Sequence, residues 1–238
     1  MNGFEQFEHA FDRYTSIYLR FIETINASKI RFYTVRRAAA SAKDIFRIGR
    51  LLRDQISRMK SDFDRLLSIA ETGKRRTHEE MHESNRISDD CYIVFKSFLF
   101  FARLFQDNLY QLLYIIATGN EDESLGSMQR AVGDPKNPVV IHLKELKTGY
   151  LKWFSSFRQK RDEIKKGYDF SASYNRNSIT MRYAIVDDKQ RVIRFPGEGK
   201  GTVISLEDVA ECYNQTCDII DLIVDLLRRE NDRNKMSE

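Results

Sequence analysis

Proline and glycine are scarce in this chain, which has only three prolines and eleven glycines in 238 residues. Folds built from many short strands need both residues in their turns. This scarcity, together with 31% charged residues, therefore favours long helices. The apolar content is 42% and includes 16 phenylalanines and 11 tyrosines. A chain of this length buries roughly 70% of its unfolded surface, so a sizeable aromatic core is expected.

Cysteine is also scarce. Cys91, Cys212 and Cys217 are an odd number and have no CxxC spacing. The pattern excludes a disulfide framework and predicts reduced, buried thiols in a cytoplasmic protein. The first eight residues carry Glu5 and Glu8 and have no basic segment, so we expect no secretory signal.

Conventional cofactor and metal motifs are missing. The chain has no Gly-rich phosphate loop and no nucleophile elbow, so no cofactor is expected. His78 to His82 satisfies the pattern HExxH, which on a helix can bind zinc. Its flanks are highly polar and no third histidine follows at short range. We therefore predict an exposed chance match and no metal site.

Apolar residues recur at steps of three and four along several segments. They predict helices over residues 4–28, 43–70 and 88–117, and residues 29–42 either extend a helix or join two. The first two helices have near-heptad seams, typical of long antiparallel bundles. The third is apolar on most sides and is the predicted bundle centre. Its Lys96, Arg103 and Asp107 argue against a membrane span. Residues 73–88 are predicted to form a polar loop with a helical turn.

The carboxyl-terminal half contains the only strand-like pattern. A fourth helix is predicted from Pro138, with Asn137 as N-cap, to Lys166. Alternation over 179–185 and 191–195 predicts a small β-hairpin, and Ser205 to Asp208 resembles a capping box that opens the last helix. The predicted fold is a single all-α domain, 1–238, with about five main helices. Residues 1–70 would form a helical hairpin packed on a core of residues 88–230.

Charge is unevenly distributed along the chain, although the net charge is only +4. Residues 29–76 hold fourteen Lys/Arg against five Asp/Glu, whereas residues 77–134 hold four against ten and residues 205–238 hold four against nine. Two interpretations are open: basic and acidic helices lie against each other, or the basic helix forms a solvent-facing site for a polyanion.

The end of the fourth helix carries the strongest functional signal. Arg161 occupies the core-face position between Phe157 and Ile164. A buried arginine must find a partner or serve a site. It could be a structural arginine paired with a carboxylate from another helix, or part of a phosphate site for RNA or a nucleotide. Cations at a helix end are also favoured by the macrodipole. The remaining candidate binding residues are Arg158, Lys160, Lys165 and Tyr168.

The pattern aromatic-Arg-x-x-Arg-Asp-x-x-x-x-Gly-Tyr begins at Phe157. With the extended insert after it and Ser-Leu-Glu-Asp before the last helix, it resembles the HEPN superfamily of helical bundles over about residues 88–229. That family has an Arg–polar–His motif near the end of its third core helix. In active members the resemblance implies a metal-independent RNase, in which Arg and His of two protomers meet across a dimer and leave a cyclic phosphate. The resemblance assigns Arg161 and Asp162 to the motif.

The motif histidine is not present, since its position falls on Lys166, Gly167 or Tyr168. A general base needs a pKa near the working pH, and lysine ordinarily titrates near 10.4. Lys166 is therefore a poor base, although it could hold a phosphate. The resemblance thus implies a degenerate, bacterial, RNA- or nucleotide-associated module of a toxin–antitoxin or phage-defence system. The candidate catalytic set is Arg161, Asp162 and Lys166, and a weak RNase is the minor alternative.

A different function is also compatible with the sequence. The seams of the first two helices could be partly exposed for dimerisation or for a cognate protein partner. A non-catalytic interaction protein of that kind would be sensitive to charge reversal on the basic helix, and not at Arg161. The positions concerned are Arg36, Arg37, Arg47 and Arg50. We expect no membrane partner in either case.

Overall fold

The predicted all-α bundle is confirmed by a computed structural model, which describes residues 1–27, 33–119, 136–144, 146, 149–166, 169–174, 179–186, 192–194 and 204–236. The helices are α1 (Gly3–Ala27), α2 (Tyr33–Glu71), α3 (His78–Thr118), α4 (Pro138–Lys144), α5 (Tyr150–Lys166) and α6 (Leu206–Met236). Four short strands precede α6. Among the described helices, none is both long and apolar enough to cross a membrane.

The predicted start signals of α4 and α6 are present. Asn137 caps α4, since its Oδ1 accepts a hydrogen bond from the Val139 N–H at 3.0 Å. Ser205 and Asp208 form the capping box of α6. The Asp208 carboxylate accepts from the Ser205 N–H at 3.0 Å, and the Asp208 N–H donates back to the Ser205 hydroxyl at 3.3 Å.

The prediction of a polar loop over residues 73–88 is wrong from residue 78 onward, because α3 begins at His78. Thr77 and Glu80 form a capping box there. Glu80 accepts from the Thr77 N–H at 2.8 Å, and its own N–H donates to the Thr77 hydroxyl at 3.2 Å. The sequence Thr-x-x-Glu carried this signal. Of the two options for residues 29–42, the described part from Tyr33 extends α2.

The predicted fourth helix is two helices. Between α4 and α5, Gly149 has a φ of 65°, which lies in the left-handed region that interrupts a right-handed helix. The predicted end at Lys166 is confirmed. Its expected C-cap, Gly167, lies outside the described residues, as does the short helix expected around residues 125–132.

The predicted hairpin is present and belongs to a larger sheet. Strand β2 (Ile179–Val186) pairs antiparallel with β3 (Val192–Arg194), as predicted. Two strands were not predicted. Strand β1 (Asp169–Tyr174) pairs antiparallel with β2, with Tyr174 opposite Ile179, and β4 (Ile204–Ser205) pairs with β2 on its other side.

The chain divides into two compact units, each with its own buried core. Unit 1 consists of Met1–His9, Ile48–Leu99 and Ser156–Ala210, and it contains all the described strands. Unit 2 consists of Ala10–Arg47, Phe100–Ser155 and Glu211–Glu238. The predicted arrangement of a 1–70 hairpin on an 88–230 core stays a prediction.

Aromatic side chains fill unit 2. Tyr14 lies 5.0 Å from Tyr213 and 6.4 Å from Phe105 between ring centroids, and Phe11 lies 5.5 Å from Tyr213. The four rings are fully buried or nearly so. They join α1, α3 and α6 around one aromatic core.

Candidate functional site

Arg161 is buried in α5, as the apolar periodicity predicted, and is only 7% exposed. The other buried side chains of the helix are Tyr150, Phe154 and Phe157, at steps of four and three. Trp153 was placed on this stripe by the sequence prediction but is only half-buried. Phe154 takes the core position instead, one residue further along the helix.

Two arginines share the carboxylate of Asp162. Arg161 donates from Nε at 3.1 Å and also from Nη2 to Asp162 Oδ1. One turn earlier in the helix, Arg158 Nε lies 3.4 Å from Asp162 Oδ2. The predicted structural pairing was with a carboxylate from another helix, whereas the partner found among the described residues is the next residue of α5. Two guanidinium groups and one carboxylate leave this cluster with a net charge of +1.

The ionisation state of Asp162 limits the chemistry of the cluster. Burial by itself would raise the pKa of this carboxyl. The hydrogen bonds and positive charge of Arg161, and then those of Arg158, outweigh that effect and hold the pKa below its usual value of 3.8. At neutral pH the carboxylate is therefore ionised. It can orient arginines, but it cannot donate a proton to a leaving group.

Lys160 has a carboxylate partner of its own. Its Nζ lies 2.7 Å from Asp208 Oδ1, on the residue that caps α6 through Ser205. This ion pair joins the end of α5 to the start of α6 within unit 1. Lys160 was predicted to bind nucleic acid, and it would have to leave Asp208 to do so.

The rest of the predicted site is only partly described. Lys165 and Lys166 belong to the last turn of α5, and their side chains lie outside the described residues, as does all of Tyr168. The structure thus brings together Arg158, Arg161 and Asp162 from the predicted set.

The HExxH segment forms the exposed beginning of α3. His78 and His82 are exposed, as predicted. Glu80, the second glutamate of the motif, serves as the helix cap, and the hydrogen bonds that it accepts from the Thr77 backbone and hydroxyl lower its pKa. Within the described ranges, no three His, Cys, Asp or Glu side chains are grouped so that they could hold a metal ion.

A buried carboxylate between α2 and α3 was missed by the sequence analysis. Asp62 is 4% exposed, binds Arg65 one turn away, and accepts a hydrogen bond from the Ser84 hydroxyl at 2.8 Å. It lies at the edge of a surface pocket of about 260 Å³. The charged groups around the pocket have opposite partners, since Arg58 pairs with Asp90 at 3.1 Å. This network is a link between helices, and its position beside the apolar stripe at Met59 was the available signal.

The cysteines are buried thiols, as predicted. Burial, with a smaller contribution from nearby Asp90, raises the pKa of Cys91 to about 12. Burial is also the main cause that raises the pKa of Cys217 to about 12. Both side chains are therefore protonated at neutral pH and are not nucleophiles.

No protein-family model, curated protein or solved structure matches this chain. The resemblance to HEPN bundles therefore stays a prediction, and the functional argument rests on the side chains described above.

Proposed function

We propose that this protein is a degenerate HEPN-like, RNA- or nucleotide-associated module of the cytoplasm, without efficient catalysis. The observation that supports this is the buried Arg161, held by Asp162 beside the half-exposed Arg158. Burying an ion pair costs desolvation free energy that an apolar side chain of similar size avoids. A phosphate-binding role gives a reason to keep the arginine, because a guanidinium oriented by a carboxylate can donate two hydrogen bonds to a phosphate.

Weak or absent catalysis follows from the residues at hand. The motif histidine is replaced, and Asp162 is ionised at neutral pH and can only accept. A lysine at position 166 would need a large fall in pKa to act as a base. The toxin–antitoxin or phage-defence setting comes from the family resemblance and is part of the same proposal.

Binding and cleavage of labelled single-stranded RNA in EDTA test the proposal together. We expect wild-type protein to bind without producing cyclic-phosphate ends. Arg158→Gln should weaken binding by roughly tenfold or more, because one charge-assisted contact is lost. Arg161→Lys keeps the charge but loses the paired donors, so it should weaken binding as well.

The matched control is Lys152→Gln, which removes one exposed cation earlier in the same helix. Equal binding by wild type, Arg158→Gln and Arg161→Lys would contradict the phosphate contact. Cyclic-phosphate products that disappear in Arg161→Lys would instead establish an active metal-independent RNase and overturn the non-catalytic part.

A dimerisation or partner-binding protein is the second candidate, and an apolar patch on α3 favours it. Phe100 is 64% exposed, and Leu104 lies one turn away on the same helix and is also exposed. The seam of α1, which was expected to be available, is mostly buried, including Phe11 and Phe21. Light scattering on wild type and Phe100→Ser tests this candidate. A dimer that becomes a monomer in the variant supports it, and a wild-type monomer contradicts self-association.

A further inference from the structure

The amino-terminal part of α2 presents a row of cations to solvent. We call Arg36, Arg37, Lys43 and Arg47 the α2 basic face, and all four side chains are exposed. Arg36, Lys43 and Arg47 are separated by seven and four residues, so they lie on one side of the helix. At 1.5 Å per residue they cover roughly 16 Å. Ala40, exposed and small, fills the gap in this row.

These cations differ from the other arginines of unit 2 in having almost no carboxylate partners. Arg13 lies 2.6 Å from Asp218, and Arg20 lies 2.5 Å from Asp221. On the α2 basic face, the pair recorded among the described residues is Arg47 with Asp44, at 3.7 Å. Four cations and one carboxylate leave residues 33–47 with a net charge of +3. The acidic residues of α6 are thus matched by α1, and this part of α2 stays positive.

The opposite side of the same helical segment is firmly held. The hydroxyl of Tyr14 donates to the Ala42 carbonyl at 2.9 Å, and the hydroxyl of Tyr213 donates to the Ile45 carbonyl at 3.0 Å. Asn108 adds a bond from Nδ2 to the Ser41 hydroxyl at 3.0 Å. The basic face therefore stands on a fixed helix, and a ligand need not order the backbone when it binds.

The position of the cations costs stability. Arg36 and Arg37 lie in the first turns of α2, which has no acidic residue in its first turn. Positive side chains are disfavoured there, because the amino-terminal end of a helix already carries partial positive charge. Packing and helix propensity give no reason for this arrangement, whereas an anionic ligand would.

An exposed aromatic ring completes the surface. Tyr33 is 65% exposed at the start of α2, and the guanidinium carbon of Arg37 lies 5.8 Å from its ring centroid. Exposed aromatic rings beside cations are the combination that binds single-stranded nucleic acids, since bases stack on the ring while the cations hold phosphates. Duplex RNA and a lipid surface give no comparable use for a lone ring at this place.

We infer that the α2 basic face binds single-stranded RNA, with phosphates on Arg36, Lys43 and Arg47 and a base stacked on Tyr33. This surface is separate in sequence from the arginine cluster of α5, and the inference holds whether or not Arg161 contacts phosphate.

Fluorescence anisotropy of the full chain with labelled single-stranded RNA, over about 50–200 mM salt, is the test. For four contacts we expect the logarithm of the association constant to fall with a slope near −3 against the logarithm of salt concentration. Arg36→Glu/Lys43→Glu should reduce that slope by about 1.4 and weaken binding at least tenfold. Tyr33→Ala should weaken binding roughly 5- to 150-fold and leave the slope unchanged.

The matched control is Lys144→Glu/Lys152→Glu, which makes the same change in net charge at two exposed lysines of unit 2. An equal loss in this control would reduce the effect to net charge and overturn the inference. So would full binding by Tyr33→Ala, equal binding of duplex RNA, or binding confined to phosphatidylserine vesicles. If the double glutamate variant misfolds, Arg36→Gln/Lys43→Gln replaces it. Arg158→Gln, measured alongside, reports on the α5 contact alone, so that the two proposals can fail separately.

Discussion

The two most basic regions of this chain differ in what their cations touch. At the end of α5, Arg158 and Arg161 share the Asp162 carboxylate, and Lys160 binds Asp208. At the start of α2, the cations face solvent and have hardly any carboxylate partners among the described residues. Similar sequence composition therefore produces a fixed ion-pair cluster in one place and an open positive surface in the other.

This difference separates the two interpretations of the charge pattern. Neutralisation between helices applies to the middle of α2, where Arg53 lies 2.7 Å from Glu8 and Arg58 pairs with Asp90. The open surface applies only to residues 33–47. A count of charges cannot separate these cases, because pairing depends on which helix lies opposite each turn.

Removing the shared carboxylate of α5 should have the largest effect. Asp162→Ala leaves Arg161 buried without its carboxylate, and we expect the free energy of unfolding to fall by about 2–3 kcal/mol. The value lies below that for a fully buried pair, because Asp162 is 37% exposed and water can reach the site. Urea unfolding of both proteins measures it.

The control adds Arg161→Met to Asp162→Ala. Replacing the whole pair by an apolar side chain should restore most of the lost stability, because no buried charge remains. If the double variant is as unstable as Asp162→Ala, Arg161 is held by something other than its charge, and the comparison between the two regions fails on the α5 side.

The tyrosine anchors of α2 should have an intermediate effect. Tyr14→Phe and Tyr213→Phe each remove one hydroxyl bond to an α2 carbonyl, and each should lower the free energy of unfolding by about 1 kcal/mol. Tyr18→Phe is the control, since Tyr18 is only half-buried and stacks on Tyr14 through its ring. Thermal unfolding measures all three, and no loss in either anchor variant would show that the basic face stands on a less constrained helix.

Charge reversal at the start of α2 should stabilise the fold. Arg36→Glu places a carboxylate near the helix amino terminus and should raise the free energy of unfolding by about 0.3–1 kcal/mol. Lys43→Glu, two turns further along the helix, should leave it nearly unchanged. A loss of stability in Arg36→Glu would indicate that Arg36 has a structural role and would weaken its assignment to RNA binding.

The pH dependence of Asp162 should be the smallest effect. Its pKa is lower in the folded protein than the usual 3.8, so the folded state holds fewer protons than the unfolded chain near that pH. The contribution is complete above about pH 4 and is lost as the pH falls through the folded pKa. The stability difference between wild type and Asp162→Asn should therefore shrink only in acid. A difference that grows as the pH falls would reverse the assigned sign.

The regular parts of the fold could be predicted because local signals agree with tertiary packing. Heptad seams placed the long helices, and Asn137, Ser205 and Asp208 marked helix starts. The break at Gly149 was missed because the apolar period continues through it. Strand β1 was missed because Asp169–Tyr174 has little apolar alternation, and its pairing with β2 is a non-local contact.

The candidate site was predictable only in part. The spacing of apolar residues placed Arg161 in the core, but it could not show that Asp162, its neighbour in sequence, is its partner. The open character of residues 33–47 was beyond the sequence as well, since it depends on α6 carboxylates pairing with Arg13 and Arg20 of α1. Asp62 was overlooked because a single acidic residue beside an apolar stripe is ordinarily solvated.

The most direct test of the central claim, that cations without carboxylate partners mark the RNA surface, is photochemical crosslinking of single-stranded RNA to the intact protein. Mass spectrometry would then identify the modified residues. The account predicts adducts at Tyr33 and elsewhere within residues 33–47, lost in Arg36→Glu/Lys43→Glu and kept in Lys144→Glu/Lys152→Glu. Adducts that map only outside residues 33–47, or that persist in the α2 variant, would contradict it.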